Sequence, residues 1–265
     1  MRKSILAIIN QKGGVGKTTT VINLASSLSI LGQNTLVIDL DPQGNATTGL
    51  GKSNNEEKKN IYNLLIKKIS LKEAIQKTDV KGLDIIGSNV NLSGLEVETA
   101  NDSNRAFILK KIIEDNKDGL LSNYDKIFID CPPSLSLLTI MALVSSRELL
   151  VPLQTEFFAL EGISQLVKTI DRIKINLNPE LKLRGILLTM FDKRNKLSSQ
   201  VDREARNYFK EKVYQSVIHR NVRLSEAPSH GVPVLIYDKT CPGSKSYYNF
   251  TDEFVSQEKP IESAA

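Results

Sequence analysis

The fold is decided by a glycine-rich stretch near the amino terminus, which reads Lys12-Gly13-Gly14-Val15-Gly16-Lys17-Thr18-Thr19. Residues 4–10 before it are apolar and β-branched and predict a buried strand, whereas residues 17–31 carry apolar side chains at helical spacing. A glycine-rich turn between a strand and a helix is typical of a phosphate-binding loop, because its backbone N–H groups and the helix amino terminus converge on an anion. We predict that nucleotide phosphates are bound by Gly13, Gly14, Val15, Gly16, Lys17, Thr18 and Thr19.

Two side chains of this loop carry the chemistry that phosphate binding needs. The Lys17 ammonium is placed to neutralise the β- and γ-phosphates, and the Thr18 hydroxyl is a ligand for Mg²⁺. A glycine-rich turn with a chance lysine is the alternative. The loop residues and both flanking elements nevertheless agree with nucleotide binding.

Strands and helices alternate along the rest of the chain. The pattern predicts strands at residues 35–39, 83–86, 124–130, 147–153, 183–190 and 213–218, and helices at residues 104–114, 158–176, 199–212 and 244–255. Such alternation predicts an α/β fold of the P-loop NTPase type, with a mostly parallel central sheet flanked by helices on both faces. We expect one domain over residues 1–256, followed by a polar tail at residues 257–265.

Length, composition and charge narrow the class of protein. The 265 residues include only two cysteines, Cys131 and Cys241, which excludes a disulfide framework. No apolar run reaches the roughly 18 residues of a spanning helix, so we expect a cytoplasmic protein with no membrane segment. The net charge is +5, and residues 191–250 alone hold 11 Lys and Arg against 6 Asp and Glu. That segment is either a surface for an anionic partner or a solvated basic face.

Three aspartates follow strands of the predicted sheet. Asp39 and Asp41 come at the end of the second strand, and Asp130 ends the strand at residues 124–130. The carboxyl ends of parallel strands form the ligand-binding edge of such a sheet. We predict that Asp130 reaches Mg²⁺, directly or through a water. Asp41 is suited to position a water beside the γ-phosphate and Asp39 to support the loop, although an Asx turn before Pro42 explains the same residues.

The loop departs from the general phosphate-loop motif, since Gln11 stands where a glycine is usual and Lys12 precedes the double glycine. This form resembles the deviant Walker A group of NTPases. Three further stretches resemble the chromosomal, Soj-like branch of the ParA family within that group. They are DLDPQGN at residues 39–45, IDCPPS at residues 129–134 and RNVRLSEAPSHG at residues 220–231.

The resemblance implies a Mg²⁺-dependent ATPase with ATP and Mg²⁺ as cofactors, weak by itself and stimulated by a ParB-type partner. It implies that ATP joins two copies into a sandwich homodimer, in which Lys12 crosses to the partner's phosphates. In the same family the aspartate that matches Asp41 orients the attacking water. Lys12, Lys17 and Asp41 are therefore the candidate catalytic residues. Without the resemblance, Lys12 is best interpreted as a solvated loop lysine.

The resemblance also implies a role on DNA. Family arginines that bind double-stranded DNA without sequence preference match Arg194 and Arg223, and Arg220 and Lys245 are weaker candidates. His219 stands where relatives usually carry proline, in a region that the resemblance places beside the adenine pocket. We expect a nucleoid-associated protein of the cytoplasm that positions chromosomal origin regions.

Two other functions fit the same phosphate loop. A positioning ATPase would act on a protein cargo or a membrane with no DNA role, but residues 254–260 lack the apolar stripe of a basic membrane-anchoring helix. A metabolic ATPase that carries electrons or a metal would need a cysteine pair suited to an iron–sulfur cluster. The positions of Cys131 and Cys241 do not suggest such a pair.

Overall fold

The computed structural model describes residues 4–116 and 119–258. Its strands form one sheet in the order β3-β4-β2-β5-β1-β6-β7-β8. Neighbouring strands are parallel, except that β3 runs antiparallel to β4 at one edge. The strands are β1 Ser4–Ile8, β2 Thr35–Asp39, β3 Ile75–Lys77, β4 Leu83–Ile86, β5 Lys126–Asp130, β6 Glu148–Gln154, β7 Lys182–Phe191 and β8 Val213–His219.

Helices connect the strands and cover the sheet. The α-helices are α1 Lys17–Ile30, α2 Asn45–Gly49, α3 Ile61–Leu65, α4 Leu71–Ala74, α5 Leu95–Glu98, α6 Ile108–Glu114, α7 Leu137–Ser145, α8 Ala159–Asn176, α9 Lys196–Phe209, α10 Arg223–Glu226, α11 Val234–Tyr237 and α12 Pro242–Ser256. Short 3₁₀ helices lie at Val90–Gly94, Arg105–Phe107, Leu120–Asn123, Lys210–Lys212 and Ala227–His230.

The side chains of β1 show why the sheet needs helices on both faces. Ile5 and Ala7 are buried in a core that also holds residues of α7, α8 and α9. Leu6 and Ile8 are buried in a second core with residues of α1 and α12. Successive side chains of a strand face opposite sides of a sheet, so each apolar residue of β1 requires cover. The predicted α/β fold with a mostly parallel, doubly covered sheet is confirmed.

The helix predicted at residues 199–212 is displaced toward the amino terminus. It begins at residue 196 because the Asn195 side chain accepts a hydrogen bond from the Leu197 N–H at 2.9 Å and caps the helix. It ends at Phe209, and Lys210 then takes a positive φ of 50°. The helical spacing therefore predicts that a helix is present here, whereas the capping residue determines where the helix starts.

The sequence pattern does not predict α7, although this helix follows the loop after Asp130. All of its residues except Ile140 are buried. A helix with no polar face has no periodic alternation of polar and apolar residues for a pattern to detect. The edge strand β3 is missed for another reason, since its three residues are too few to establish a period.

The predicted tail at residues 257–265 lies largely outside the described residues, which include only Gln257 and Glu258 of it. Glu258 forms an ion pair with Lys126, and its Oε1 is 3.8 Å from Arg184 Nη2. The domain boundary at residue 256 stays a prediction. Across residues 4–116 and 119–258, no helix combines the length and the apolar character needed to cross a membrane.

Candidate nucleotide-binding site

The glycine-rich loop joins β1 to α1 at the carboxyl edge of the sheet. Gly14 and Gly16 have φ angles of 72° and 88°, a left-handed conformation that glycine adopts without a steric penalty. No side chain caps the start of α1, so its first backbone N–H groups have no side-chain acceptor. This is the geometry that binding of an anion at a helix amino terminus requires.

Lys17 lies at the base of this loop with only 6% of its surface exposed. Its ammonium donates a hydrogen bond to the Lys12 carbonyl at 3.0 Å, which holds the side chain in place. Burial lowers the pKa of Lys17, and the nearby Asp130 carboxylate opposes this shift. The loop therefore holds a largely desolvated cation, for which a phosphate is a fitting counter-ion.

Asp130 ends β5 directly behind the loop. The Thr18 hydroxyl donates a hydrogen bond to Asp130 Oδ2 at 2.7 Å, whereas the buried Oδ1 has no partner. Burial and the neighbouring Asp39 carboxylate raise the pKa of Asp130 well above its usual range. A buried carboxylate oxygen without a partner, next to a hydroxyl, fits a Mg²⁺ ion, which takes oxygen ligands. Thr18 and Asp130 are the residues that would hold it.

The two aspartates after β2 differ in their surroundings. Asp39 accepts hydrogen bonds from the Thr47 N–H and hydroxyl at 2.9 and 2.7 Å and from the Asp41 N–H at 3.1 Å. Burial raises the pKa of Asp39 to about 6, although these hydrogen bonds oppose the rise. Asp39 thus supports the turn. Asp41 accepts a hydrogen bond from the Gln43 N–H at 3.0 Å, which is an Asx turn, and also lines the cavity above the loop.

That cavity has a volume of about 510 Å³. It brings together the loop, the segment after β2 and the segment after β8, which are far apart in sequence. Of the residues predicted to bind phosphate, Lys12 and Val15 do not line it, and the Val15 carbonyl instead accepts a hydrogen bond from the Thr189 hydroxyl at 2.9 Å. The lining residues are Gly13, Gly14, Gly16, Lys17, Thr18, Thr19, Ile22, Asp41, Gln43, Asn45, Thr48, Pro133, Met190, Pro228 and Ser229.

The Lys12 side chain is half-exposed and forms an ion pair with Glu156, two residues beyond β6. The Lys12 side chain therefore contacts a residue of its own chain and does not line the cavity. Sequence reasoning missed Glu156, because nothing near residue 156 indicates that this carboxylate meets a lysine 144 positions earlier. The predicted contact of Lys12 with a partner's phosphates stays a prediction.

A smaller cavity of about 150 Å³ adjoins the first one at Gly16, Thr19 and Met190. Met190 has a positive φ of 52°, which is uncommon for a residue with a side chain. His219 lines this cavity, and its Nδ1 is 3.1 Å from the Ser246 hydroxyl. Burial, with a smaller effect of Lys193, lowers the pKa of His219, so the imidazole is neutral near pH 7. This agrees with a packing role, and contact with adenine stays a prediction.

The two predicted DNA-binding arginines lie beyond the carboxyl ends of β7 and β8. Arg194 is 91% exposed and pairs with Asp192, with 2.9 Å between Nη2 and Oδ2. Arg223, the first residue of α10, pairs with Glu226 at 2.7 Å. Both guanidinium groups are thus at the surface but paired with carboxylates of their own chain.

Both cysteines are buried. Burial and the Asp130 carboxylate raise the pKa of the Cys131 thiol well above its ordinary value, so it stays protonated. Cys241 precedes α12, and its sulfur accepts a hydrogen bond from the Ser244 N–H at 3.3 Å. The interpretation of Cys131 as a small packing residue agrees with its burial.

Known proteins are similar to this chain in sequence and in fold. Residues 3–183 match a family model described as an AAA domain. The chain is 46% identical over 263 residues to the chromosome partitioning protein ParA of Caulobacter vibrioides. The aligned residues cover 98% of this chain and 97% of that protein. The chain belongs to the ParA/Soj family of P-loop ATPases. A second ParA/Soj relative, the chromosome-partitioning ATPase Soj of Treponema pallidum, is 44% identical over 96% of this chain and 97% of its own length.

The fold of this ParA/Soj chain is also similar to a solved structure with ligands. That protein is the cobyrinic acid a,c-diamide synthase of Mycobacterium smegmatis with a bound ATP analogue and magnesium. The TM-score is 0.84 and the identity 31%, over 97% of this chain and 96% of that chain. The predicted family is confirmed, and these ligands bear out the prediction of ATP and Mg²⁺ as cofactors.

Proposed function

We propose that this ParA/Soj chain is a Mg²⁺-dependent ATPase that partitions chromosomal DNA. ATP joins two copies into a dimer, and the dimer binds double-stranded DNA without sequence preference. Hydrolysis is slow by itself and is stimulated by a ParB-type protein, after which the chain leaves the DNA. The observation that carries this proposal is the convergence of Lys17, Thr18 and Asp41 on one cavity, with Asp130 directly behind Thr18.

The residues around the cavity supply what phosphoryl transfer requires, which is placement and neutralisation of charge. Lys17 is a cation fixed by its own hydrogen bond to the loop. Thr18 and Asp130 would hold Mg²⁺, which would supply positive charge next to the phosphates. Asp41 is 6% exposed and lines the same cavity, so its carboxylate is suited to accept a hydrogen bond from the attacking water.

Surface features beside Lys12 support the dimer. Lys12 is 51% exposed, so its ammonium is accessible to a phosphate, which can take the place of Glu156 as its anionic partner. Phe157 and Phe158 follow directly, are 72% and 68% exposed, and have ring centroids 5.0 Å apart. Adjacent exposed aromatic rings are typical of a protein contact surface. A second copy placed here would bring its own phosphates toward Lys12.

The DNA role rests on the basic surface and on the names of the relatives. Arg194 and Arg223 are both exposed, and they follow β7 and β8 on the same edge of the sheet as the nucleotide cavity. Binding through phosphates gives no sequence preference and a strong dependence on salt. A dimer doubles the number of such contacts and so raises affinity through effective concentration. On this proposal the ATP-bound protein is nucleoid-associated.

Asp41→Ala tests the assigned role of Asp41. The variant is expected to bind ATP and dimerise but to lose turnover by at least about tenfold, because the attacking water is no longer oriented. Analytical ultracentrifugation with ATP would then show a persistent dimer, while phosphate release measures turnover. Asp171→Ala, an exposed position on α8, is the matched control and should behave as wild type. Unchanged turnover in Asp41→Ala would remove Asp41 from the mechanism.

A salt titration of DNA binding, with and without ATP, separates this proposal from a positioning ATPase that works without DNA. The proposal expects ATP-dependent binding that weakens steeply as salt rises. Binding that is absent with ATP would favour the alternative function on a protein cargo.

A further inference from the structure

Arg194 and Asp192 form a two-bond fork. The Arg194 Nε donates to Asp192 Oδ1 at 3.1 Å, and Nη2 donates to Oδ2 at 2.9 Å. Nε and Nη2 form the edge of the guanidinium that can donate two parallel hydrogen bonds to a carboxylate or to a phosphate. A DNA phosphate that uses this edge must therefore displace Asp192.

Arg223 is held in a comparable way by two segments of the chain. Its Nη1 donates to Glu226 Oε2 at 2.7 Å, one turn further along α10. Its Nε is 3.6 Å from Asp238 Oδ2, which follows α11. The carboxylates thus offset the positive charge at the positions predicted to contact DNA.

Changes in pH near neutrality do not release Arg194. The hydrogen bonds from Arg194 lower the pKa of Asp192 to about 2, and Arg220 adds to this shift. The carboxylate is therefore charged throughout the physiological range, and only a competing anion can take its place. Exposed ion pairs are weak, so a phosphate can compete with this one.

We propose that Asp192 and Glu226 compete with DNA phosphates for Arg194 and Arg223 and thereby limit the DNA affinity of the ATP-bound protein. The inference rests on the proposed DNA binding and adds residues that determine its strength. Asp192 is two residues from Arg194 in the sequence, and Glu226 is three residues from Arg223. Each carboxylate therefore competes at a high effective concentration. A DNA complex of limited affinity dissociates once hydrolysis separates the two copies, because the contacts are then halved.

The test measures the dissociation constant of the full chain for duplex DNA of arbitrary sequence, with ATP and Mg²⁺ at about 0.15 M salt. Asp192→Asn and Glu226→Gln remove the charge and keep the size. Asparagine also retains the Oδ1 that accepts the Arg194 N–H at 3.0 Å. We expect DNA binding to tighten about two- to fivefold in each variant, because a fold-change of this size corresponds to the free energy of one exposed ion pair.

Asp171→Asn is the matched control, because it removes the same charge from an exposed position toward the opposite edge of the sheet. Screening beyond about 8 Å at this salt should keep its effect below about twofold. The inference is overturned if Asp192→Asn and Glu226→Gln bind no more tightly than this control. Weaker binding also overturns it, since the carboxylates would then be orienting the arginines rather than competing with DNA.

Arg194→Ala and Arg223→Ala separate the inference from the proposed function. Weaker DNA binding in these variants supports the DNA surface, and the carboxylate variants then test the inference alone. Unchanged DNA binding in both alanine variants would remove the surface and the inference together. Circular dichroism and ATP affinity, measured on all variants, show whether each one is folded.

Discussion

Lys17 and Lys12 belong to one loop but have different surroundings, which predicts different effects on nucleotide binding. Lys17 is buried, whereas Lys12 is half-exposed. Lys17→Ala is expected to weaken Mg²⁺–ADP binding by at least about 100-fold, because each charge-assisted hydrogen bond is worth about 1.5–3 kcal/mol. Lys12→Ala should change it by less than about threefold, within about 0.7 kcal/mol. Isothermal titration calorimetry measures both, and equal losses would contradict the separation of roles.

Asp130 and Asp39 predict how stability depends on pH when no cation is bound. Burial raises the pKa of Asp130, and that of Asp39 to about 6. Between about pH 4 and these raised values, the folded chain binds protons more tightly than the unfolded chain. Its free energy of unfolding therefore falls as the pH rises through this window. In Asp130→Asn the fall should be smaller, because one of the two carboxyls no longer titrates.

Thermal unfolding at about pH 5 and about pH 7.5, without nucleotide, measures this dependence. Asp171→Asn, which changes an exposed carboxyl, should retain the wild-type difference between the two conditions. If Asp130→Asn shows the same difference between the two pH values as the wild type, the pKa of Asp130 is not raised in the folded chain. Addition of Mg²⁺ and ATP should then raise the unfolding temperature of the wild type more than that of Asp130→Asn.

α2, which follows Asp41, contacts the 3₁₀ helix Ala227–His230, which follows the helix of Arg223. They meet where Gly51 and Gly231 approach each other, since a Cβ on Gly231 would lie 2.8 Å from the Gly51 Cα. Both glycines also have positive φ angles, of 75° and 67°. The contact therefore requires glycine on both sides, and it places the Asp41 segment directly against the predicted DNA segment.

Gly231→Ala is expected to destabilise the protein more than Gly32→Ala does. Gly32 also has a positive φ, of 93°, but a Cβ there would meet nothing within 4 Å. Gly32→Ala thus reports the backbone penalty alone, about 1–2 kcal/mol. Gly231→Ala adds a clash with backbone, so its free energy of unfolding should be lower by about a further 1 kcal/mol or more. Equal losses in urea denaturation would mean that the two segments separate without cost.

At the amino ends of β5 and β7, ion pairs hold the last described residue, Glu258, against the sheet. Glu258 pairs with Lys126 and Arg184, whose side chains are only 11% and 15% exposed. Glu258→Gln should lower the free energy of unfolding by about 1–3 kcal/mol. The largely buried Lys126 loses its counter-ion in this variant, whereas Arg184 keeps Glu148, whose Oε1 is 3.6 Å from its Nη1. The exposed Gln257→Ala should cost less than about 0.5 kcal/mol. If urea denaturation finds both variants alike, residue 256 is the better end of the domain.

The phosphate loop, the strands other than β3, the longer helices other than α7, and the three aspartates that follow strands were predictable from the chain alone. Each depends on residues that are neighbours in sequence, such as Gly14, Gly16 and Lys17 in one turn. Asp130 could be placed because the carboxyl ends of parallel strands share one edge. The family followed from the same consecutive stretches, and the comparisons confirm it.

Contacts between distant residues decided the rest. Sequence patterns do not indicate that Lys12 meets Glu156 or that Arg223 meets Asp238, since these carboxylates come from other segments. The proposed division of roles between Asp39 and Asp41 depends on the hydrogen bonds of Asp39 to Thr47 and on the place of Asp41 in the cavity, which follow only from the packed structure. α7 has no polar face and so becomes recognisable only once its neighbours surround it. Local periodicity thus determines the elements, whereas charge pairing and burial depend on how these elements pack.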